Sequence, residues 1–358
     1  MKNKIEKYLL QLNHPELNQR FILKKNIKLI DSNEKQINIS IELNFPFKSQ
    51  ISLYEEIIKQ GLKKITNLDI NIKWSTKILT RQVQQGVNAI KDIKNVIAIA
   101  SGKGGVGKSS IAANLALALS YEGANVGILD ADIYGPSQPK MMGITKKPDS
   151  KDGKSMEPII AHGIQAMSIG FLVDQETPMV WRGPMVTSTL EQLLKETNWN
   201  NLDYLIIDLP PGTGDTQLTL AQKIPVTGSI IVTTPQDIAL LDARRGIKMF
   251  EKVKIPILGI VENMSTHICS NCGHEEFIFG KDGGTKICSD YDTELLGSLP
   301  LDIKIRENLD AGKPSIIDNP ESEISLIYRS IARKSALKIA GLSEDHSSKF
   351  PNIVIQQS

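Results

Sequence analysis

The run Gly102-Lys103-Gly104-Gly105-Val106-Gly107-Lys108-Ser109 constrains this 358-residue chain more than any other stretch. It follows an apolar segment, Val96 to Ala100, and opens another with helical spacing at Ile111, Leu115 and Leu119. Strand, glycine-rich loop and helix in that order make the phosphate-binding pattern GxxxxGK[ST] in the setting its chemistry needs. Glycines permit the dihedral angles that turn successive backbone N–H groups inward around an anion. The N-terminus of the following helix adds a favourable dipole. Lys108 is expected to reach the β- and γ-phosphates of ATP, and Ser109 to ligand Mg²⁺. The expected nucleotide-contacting set is Gly102, Lys103, Gly104, Gly105, Val106, Gly107, Lys108, Ser109 and Ser110.

Further apolar runs at Val126–Leu129, Tyr204–Ile207, Ser229–Val232 and Ile257–Val261 are unbroken and widely spaced. Strands of that kind are covered on both faces, so the expected fold is α/β, a P-loop NTPase with a mostly parallel sheet flanked by helices. Ligands of such sheets bind at the carboxyl ends of the strands. Asp130 and Asp132 end one strand, two positions apart and so on one side of it. Asp208 ends another, before the Pro/Gly-rich loop Leu209–Asp215. Asp130 and Asp208 are candidate supports for Mg²⁺. Hydrolysis of ATP is a matter of positioning and charge stabilisation, and Lys108 and Asp208 are the catalytic candidates nearest the phosphates.

Residues 1–79 read as a small α+β domain. Lys4–Leu12 and Ser52–Ile65 have helical spacing, while Gln36–Leu43 and Leu68–Trp74 alternate as strands. Ile78–Lys94 is polar, helical or linker-like, so 80–94 is taken as a linker, 95–342 as the nucleotide domain and 343–358 as a polar tail. Residues 1–94 carry 17 Lys and Arg against 9 Asp and Glu, whereas the rest carries 25 against 31. No lysine run or aromatic interleaving accompanies the basic part, so neither nucleic acid nor membrane is expected as a partner. Met1–Gln11 mixes Lys and Glu through its apolar residues, unlike a signal peptide, and no apolar run spans a bilayer; the expected location is cytoplasmic.

Three cysteines rule out a disulfide scaffold, and two of them form Cys269-Ser270-Asn271-Cys272. Three readings of this CxxC stand. It could be a redox dithiol. It could bind zinc with help from Cys288 and His267 or His274. Or it could be half of a site that another chain completes, giving the four thiolates of a [4Fe–4S] cluster.

The spacing GKGGVGKS resembles the deviant phosphate loop of dimeric ATPases, which implies that Lys103 crosses a homodimer interface to the partner's nucleotide and joins the catalytic set. Several ordered motifs extend the likeness: Asp132-Ile133-Tyr134-Gly135-Pro136-Ser137, Trp181-Arg182-Gly183-Pro184-Met185, Asp208 to Asp215, and Glu262-Asn263-Met264-Ser265 before the CxxC. From about Asn95 to Pro314 the chain resembles the Mrp family of iron–sulfur cluster carrier ATPases. That resemblance implies a homodimer holding a [4Fe–4S] cluster on Cys269 and Cys272, with apo iron–sulfur client proteins and a cluster-donating scaffold as partners. It implies further that Asp132 orients the attacking water and that Asn263 reads the adenine edge. Residues 1–79 resemble the iron–sulfur assembly domain often fused ahead of such ATPases. His14-Pro15-Glu16-Leu17 stands for its Asp-Pro-Glu pattern, but Phe47-Lys48-Ser49 lacks its cysteine, which leaves a docking role. Cys288 lies outside the family's CxxC, and Trp181-Arg182-Gly183-Pro184 has no derivable mechanism.

Two rival readings make different demands. A positioning switch acting on DNA or membrane needs a basic surface or an amphipathic C-terminal helix, for which residues 319–340, with Arg329, Arg333, Lys334 and Lys338, have the spacing. A zinc-stabilised regulatory ATPase needs Cys288 as a ligand.

Overall fold

The structure, a computed structural model, describes residues 1–17, 19–84, 86–172 and 183–345. In chain order the first elements are α1 (Lys2–Leu9), the two-residue strands β1 (Asn13–His14) and β2 (Gln19–Arg20), β3 (Ile27–Ser32), β4 (Gln36–Leu43), α2 (Ile51–Leu62) and β5 (Asp69–Thr76). β4 is the centre of a three-stranded sheet, antiparallel to β3 and parallel to β5. Its alternation is the expected one: Ile37, Ile39, Ile41 and Leu43 are buried. Tyr54, Ile58 and Leu62 of α2 and Ile5 and Leu9 of α1 belong to the same core. His14 is enclosed by aromatic rings, 5.3 Å from Tyr54 and 5.4 Å from Phe47 between centroids.

The described part of 78–92 carries no helix and is pinned by side chains. Gln84 donates to the Ala221 carbonyl (2.8 Å) and accepts from the Val226 N–H (2.8 Å). Arg81 pairs as an isolated bridge with Glu344, and Gln82 N–H donates to the Ser343 carbonyl. The rest of the tail, 346–358, lies outside the described residues.

The large unit follows as β6 (Ile93–Ser101), α3 (Lys108–Tyr121), β7 (Val126–Asp130), α4 (Gln138–Met141), β8 (Ile159–Ala161), β9 (Ile164–Ser168), α5 (Gly183–Glu196), β10 (Leu202–Asp208), α6 (Asp215–Lys223), β11 (Gly228–Thr233), α7 (Asp237–Lys252) and β12 (Ile257–Glu262). It continues with β13 (His267–Ile268), β14 (Glu275–Glu276), α8 (Gly283–Asp290), β15 (Leu295–Ser298), α9 (Ile303–Asp310), α10 (Ser315–Asp318) and α11 (Glu323–Gly341). Eight strands form one sheet in the order β15-β12-β11-β6-β10-β7-β9-β8. All neighbours run parallel except β8, which is antiparallel to β9. Every residue of β7, β10 and β11 is buried, the result of helices on both faces and the reason their sequences are continuous apolar runs. β8, β9 and β15 widen the sheet beyond the five strands legible as apolar runs.

α3 buries ten of its fourteen residues between the sheet and α11. α11 in turn buries Tyr328, Arg329, Ile331, Ala332, Arg333, Ser335, Ala336 and Ile339. Its amphipathic face is therefore an internal contact, and Arg329 and Arg333 lie on the inner side. No helix among the described residues is long and apolar enough to cross a membrane.

One hydrophobic core joins the N-terminal unit to the α3 side of the sheet. At this junction Glu122, next after α3, accepts from Arg333 Nη1 (2.6 Å) and from the Ser49 hydroxyl (2.7 Å) and N–H (3.0 Å). Arg333 Nη2 also reaches Glu16. Ser49 and Glu16, from the Phe47-Lys48-Ser49 and His14-Pro15-Glu16-Leu17 stretches, thus make contacts with the large unit.

Candidate functional site

β6 ends at Ser101, and the chain turns through the glycine-rich loop into α3. Two of the loop's glycines are required by geometry. At Gly102 an added Cβ would come within 2.3 Å of the Asp242 backbone in α7. At Gly107, φ is +84°, a left-handed value, and a Cβ would meet the Asn263 amide nitrogen at 2.2 Å. That amide donates to the Val106 carbonyl (2.9 Å), so Asn263, just past β12, supports the loop's backbone.

Lys108 opens α3 and is 5% exposed. Its ammonium lies 2.5 Å from Asp208 Oδ1 and 3.8 Å from Asp132 Oδ2. Asp208 and Asp130 are fully buried at the adjacent ends of β10 and β7, where they are register partners. Asp130 accepts from the Asp132 N–H (3.2 Å), the Gln138 N–H (3.0 Å) and the Ser168 hydroxyl (3.1 Å). Burial, then the Asp208 charge, pushes its carboxyl up to about 7. Asp132 is also raised, by burial first and by Asp208, against the pull of Lys108. The Gly135 and Tyr134 N–H groups also pull its pKa down, while its Oδ1 is buried without a hydrogen-bond partner among the described residues.

The sheet therefore gathers Lys108, Ser109, Asp130, Asp132 and Asp208 at one edge: three carboxylates facing one ammonium at the mouth of an anion-binding loop. Buried like charges so arranged call for a further cation, and carboxylate and hydroxyl oxygens are the donors a hard divalent ion takes. The Ser109 hydroxyl and the Asp130 and Asp208 carboxylates suit Mg²⁺ brought in with a nucleotide, whose phosphates would complete a ligand set that the acids alone do not form. Lys103 is half-buried in the loop, its carbonyl accepting from the Ser101 hydroxyl (2.9 Å), and its ammonium has no ion-pair partner among the described residues.

Gln138 and Ser168 escaped the sequence reading. Gln138, in the first turn of α4, donates from Nε2 to Asp208 Oδ2 and to the Ser109 carbonyl, each at 3.0 Å. Its one sequence signal is its place just after Asp132–Ser137.

The CxxC lies elsewhere on the surface. Strands β13 and β14 pair as a small antiparallel hairpin, and Cys269 and Cys272 occupy its turn. Cys269 N–H donates to the His274 carbonyl (2.9 Å), Gly273 N–H donates to the Cys269 carbonyl (2.8 Å), and Gly273 has φ +72°. Backbone N–H groups of Cys272 and Asn271 point at the Cys269 sulfur and, with the Cys272 thiol, lower its pKa. His267 Nδ1 is held by the Leu301 carbonyl (3.1 Å). Cys288 is separate: it is buried in α8, and burial pushes its thiol up to about 11. Among the described residues no group of three or more His, Cys, Asp or Glu side chains is placed to hold a metal. Trp181 and Arg182 lie outside the described residues.

A strand–loop–helix phosphate cradle on a parallel sheet, with a buried lysine and strand-end acids, defines a P-loop NTPase. A family profile described as "ParA: NUBPL iron-transfer P-loop NTPase" matches residues 92–336, and the chain belongs to that family. Family membership makes it an ATPase of the P-loop class. The chain is 49% identical over 340 residues to the iron-sulfur cluster carrier protein of Haemophilus influenzae, covering 94% of this chain and 92% of that one. It is 47% identical over 279 residues to the iron-sulfur cluster transfer protein NUBPL of Dictyostelium discoideum, covering 77% and 86%. Among solved structures it resembles a nucleotide-binding protein in complex with ADP from Archaeoglobus fulgidus (36% identity, TM-score 0.56, 65% and 90% covered). The cell division ATPase MinD of Pyrococcus furiosus, at 21% identity and TM-score 0.50 with 67% and 97% covered, shares the fold.

Proposed function

We propose that this protein is an ATP-hydrolysing iron–sulfur carrier: two copies hold a [4Fe–4S] cluster between their Cys269 and Cys272 pairs and deliver it to apo-proteins. One observation carries the reading. Two thiols sit together in an exposed hairpin turn, one already acidified by backbone N–H groups, with no third protein ligand grouped with them among the described residues. Two thiolates are half of what a cubane cluster takes, and a twofold axis supplies the other half from identical residues. The names of the relatives support the cargo.

Exposed apolar side chains beside the CxxC hairpin and at the start of α7 support the second copy. Ile238 and Leu241 open α7, Ile268 precedes the CxxC, and Phe277 and Ile278 follow the hairpin. Gly280, just beyond them, lies against Pro235 at the start of α7. Apolar groups so placed mark an interaction face.

The nucleotide end works through this chain's own groups. The loop N–H groups and Lys108 bind the phosphates, and Lys103 serves the partner's nucleotide. Asp132, with a buried unpaired oxygen, orients the attacking water. Ser109, Asp130 and Asp208 would hold Mg²⁺, which supplies charge neutralisation at the β- and γ-phosphates. Residues 1–79 serve as a docking module, since Ser49 and Glu16 already make internal contacts. A membrane or DNA switch fits less well, because the C-terminal helix turns its apolar face and two arginines inward. A zinc regulator fits less well, because Cys288 is buried and apart.

The test is anaerobic reconstitution. About four iron and four sulfide per dimer are expected, lost in Cys269→Ser or Cys272→Ser and transferable to an apo-protein. Normal loading and transfer by both variants would overturn the proposal.

A further inference from the structure

Gln138 is a neutral side chain built into the carboxylate cluster. It is 2% exposed, and its backbone N–H and amide nitrogen both bond to groups of the nucleotide site. Its backbone N–H donates to Asp130 (3.0 Å). Its amide nitrogen donates to Asp208 on one side and to the Ser109 carbonyl on the other, both at 3.0 Å. These bonds tie together the two strand-end acids and the hydroxyl residue of the loop. Among the described residues its amide oxygen is buried with no hydrogen-bond partner. An orphaned amide oxygen in such a place is costly unless a donor comes to it.

The chemistry around that oxygen limits what the donor can be. Asp130 and Asp208, which Gln138 already meets through its N–H groups, are acceptors, and Lys108 is already shared between Asp132 and Asp208. The O–H of water held by a divalent cation is a donor of the right kind, and an acidic cluster is where such a cation is drawn. A neutral amide also orients Asp208 without adding a fourth negative charge. Glutamate of the same length would add one, and an apolar residue would leave Asp208 Oδ2 free to rotate.

We infer that Gln138 is a positioning residue for the metal–nucleotide complex, acting by fixing Asp208 and Ser109 and by offering its amide oxygen to metal-bound water. The inference rests on the nucleotide reading given above. It separates two affinities: the metal's, which should depend on Gln138, and that of the metal-free nucleotide, which should not, because the loop N–H groups bind phosphate without it.

Full-length protein, Gln138→Leu and Gln138→Met should be compared in two titrations. A fluorescent ADP analogue in EDTA reads the loop, and Mn²⁺ titrated into the ADP-bound protein, followed by the free-ion EPR signal, reads the metal site. In both variants Mn²⁺ affinity should fall about 10-fold to 100-fold, as for other residues that orient metal ligands, while analogue affinity in EDTA stays within about 2-fold. Two hydrophobic replacements of different shape separate the effect from a packing fault in one of them. Unchanged Mn²⁺ affinity in either variant, with an unaltered melting temperature, would overturn the inference. So would an equal loss of metal-free ADP affinity, which would make Gln138 a prop for the loop. If the unaltered protein binds no ADP analogue, the nucleotide reading fails and takes this inference with it.

Discussion

Arg333 of α11 stands 2.6 Å from Glu122, the residue that follows α3, and both are almost completely buried. Removing one partner of a buried pair strands the other's charge. Arg333→Ala should therefore cost about 3–5 kcal/mol, read as a lower urea midpoint. Arg333→Met combined with Glu122→Gln should recover much of that loss, since the fully buried Glu122 charge is gone, Glu16 is partly exposed and Arg329 keeps Glu321. A double variant no more stable than Arg333→Ala would show that Glu122 is not the partner that matters.

Lys103 and Lys108 should separate binding from turnover. Lys108→Ala removes the charge at the phosphates and should abolish measurable ATP binding. Lys103→Ala should keep binding within a few-fold and lower kcat by about 10³, comparable to loss of a cationic finger supplied in trans. Its activity should also cease to rise with protein concentration. Equal loss of affinity in both variants would place Lys103 on its own chain's nucleotide.

The thiols should divide two against one. Cys288→Ser should leave reconstituted iron and sulfide unchanged and shift the melting temperature by only a few degrees, as suits a buried thiol away from the pair. Iron bound at one atom per chain and lost with Cys288 would favour a mononuclear site instead.

His14 gives the fold an acid limit. Burial holds its imidazole below the ordinary value of 6.5, with Arg333 adding to burial and Glu16 and Glu122 opposing it. The unfolded chain takes the proton first as pH falls, so the stability from neutral His14 is complete above pH 6.5. It then declines by at most about 1.4 kcal/mol per pH unit until the folded form protonates too. His14→Phe, in a pocket already lined by Phe21, Phe47 and Tyr54, should flatten this slope below pH 6.5 in urea titrations. An unchanged slope would assign the acid sensitivity elsewhere.

Much of this molecule could be read from its residues, and the exceptions have physical causes. β4 was legible because alternation and burial coincide along it, and β6 to β12 included runs that only a doubly covered sheet produces. β9 was not, since Ile164-Gln165-Ala166-Met167-Ser168 is short and interrupted by a polar residue. α11 had a visible period, but arginine on a helix reads as solvated, and only Glu16 and Glu122, both distant in sequence, explain why Arg333 faces inward. The phosphate loop, the strand-end acids and the CxxC announced themselves by type and spacing. Gln138 did not, because an amide has no signature until one knows what surrounds it.

The length of α3 carries a last consequence. Its fourteen residues run about 21 Å, from Lys108 at the phosphate loop to Tyr121 beside Glu122, and its close-packed flanks leave it little room to bend. The helix is thus a lever with the nucleotide site at one end and the Ser49–Glu122–Arg333 lock at the other. A tilt imposed at either end must be felt at the opposite one.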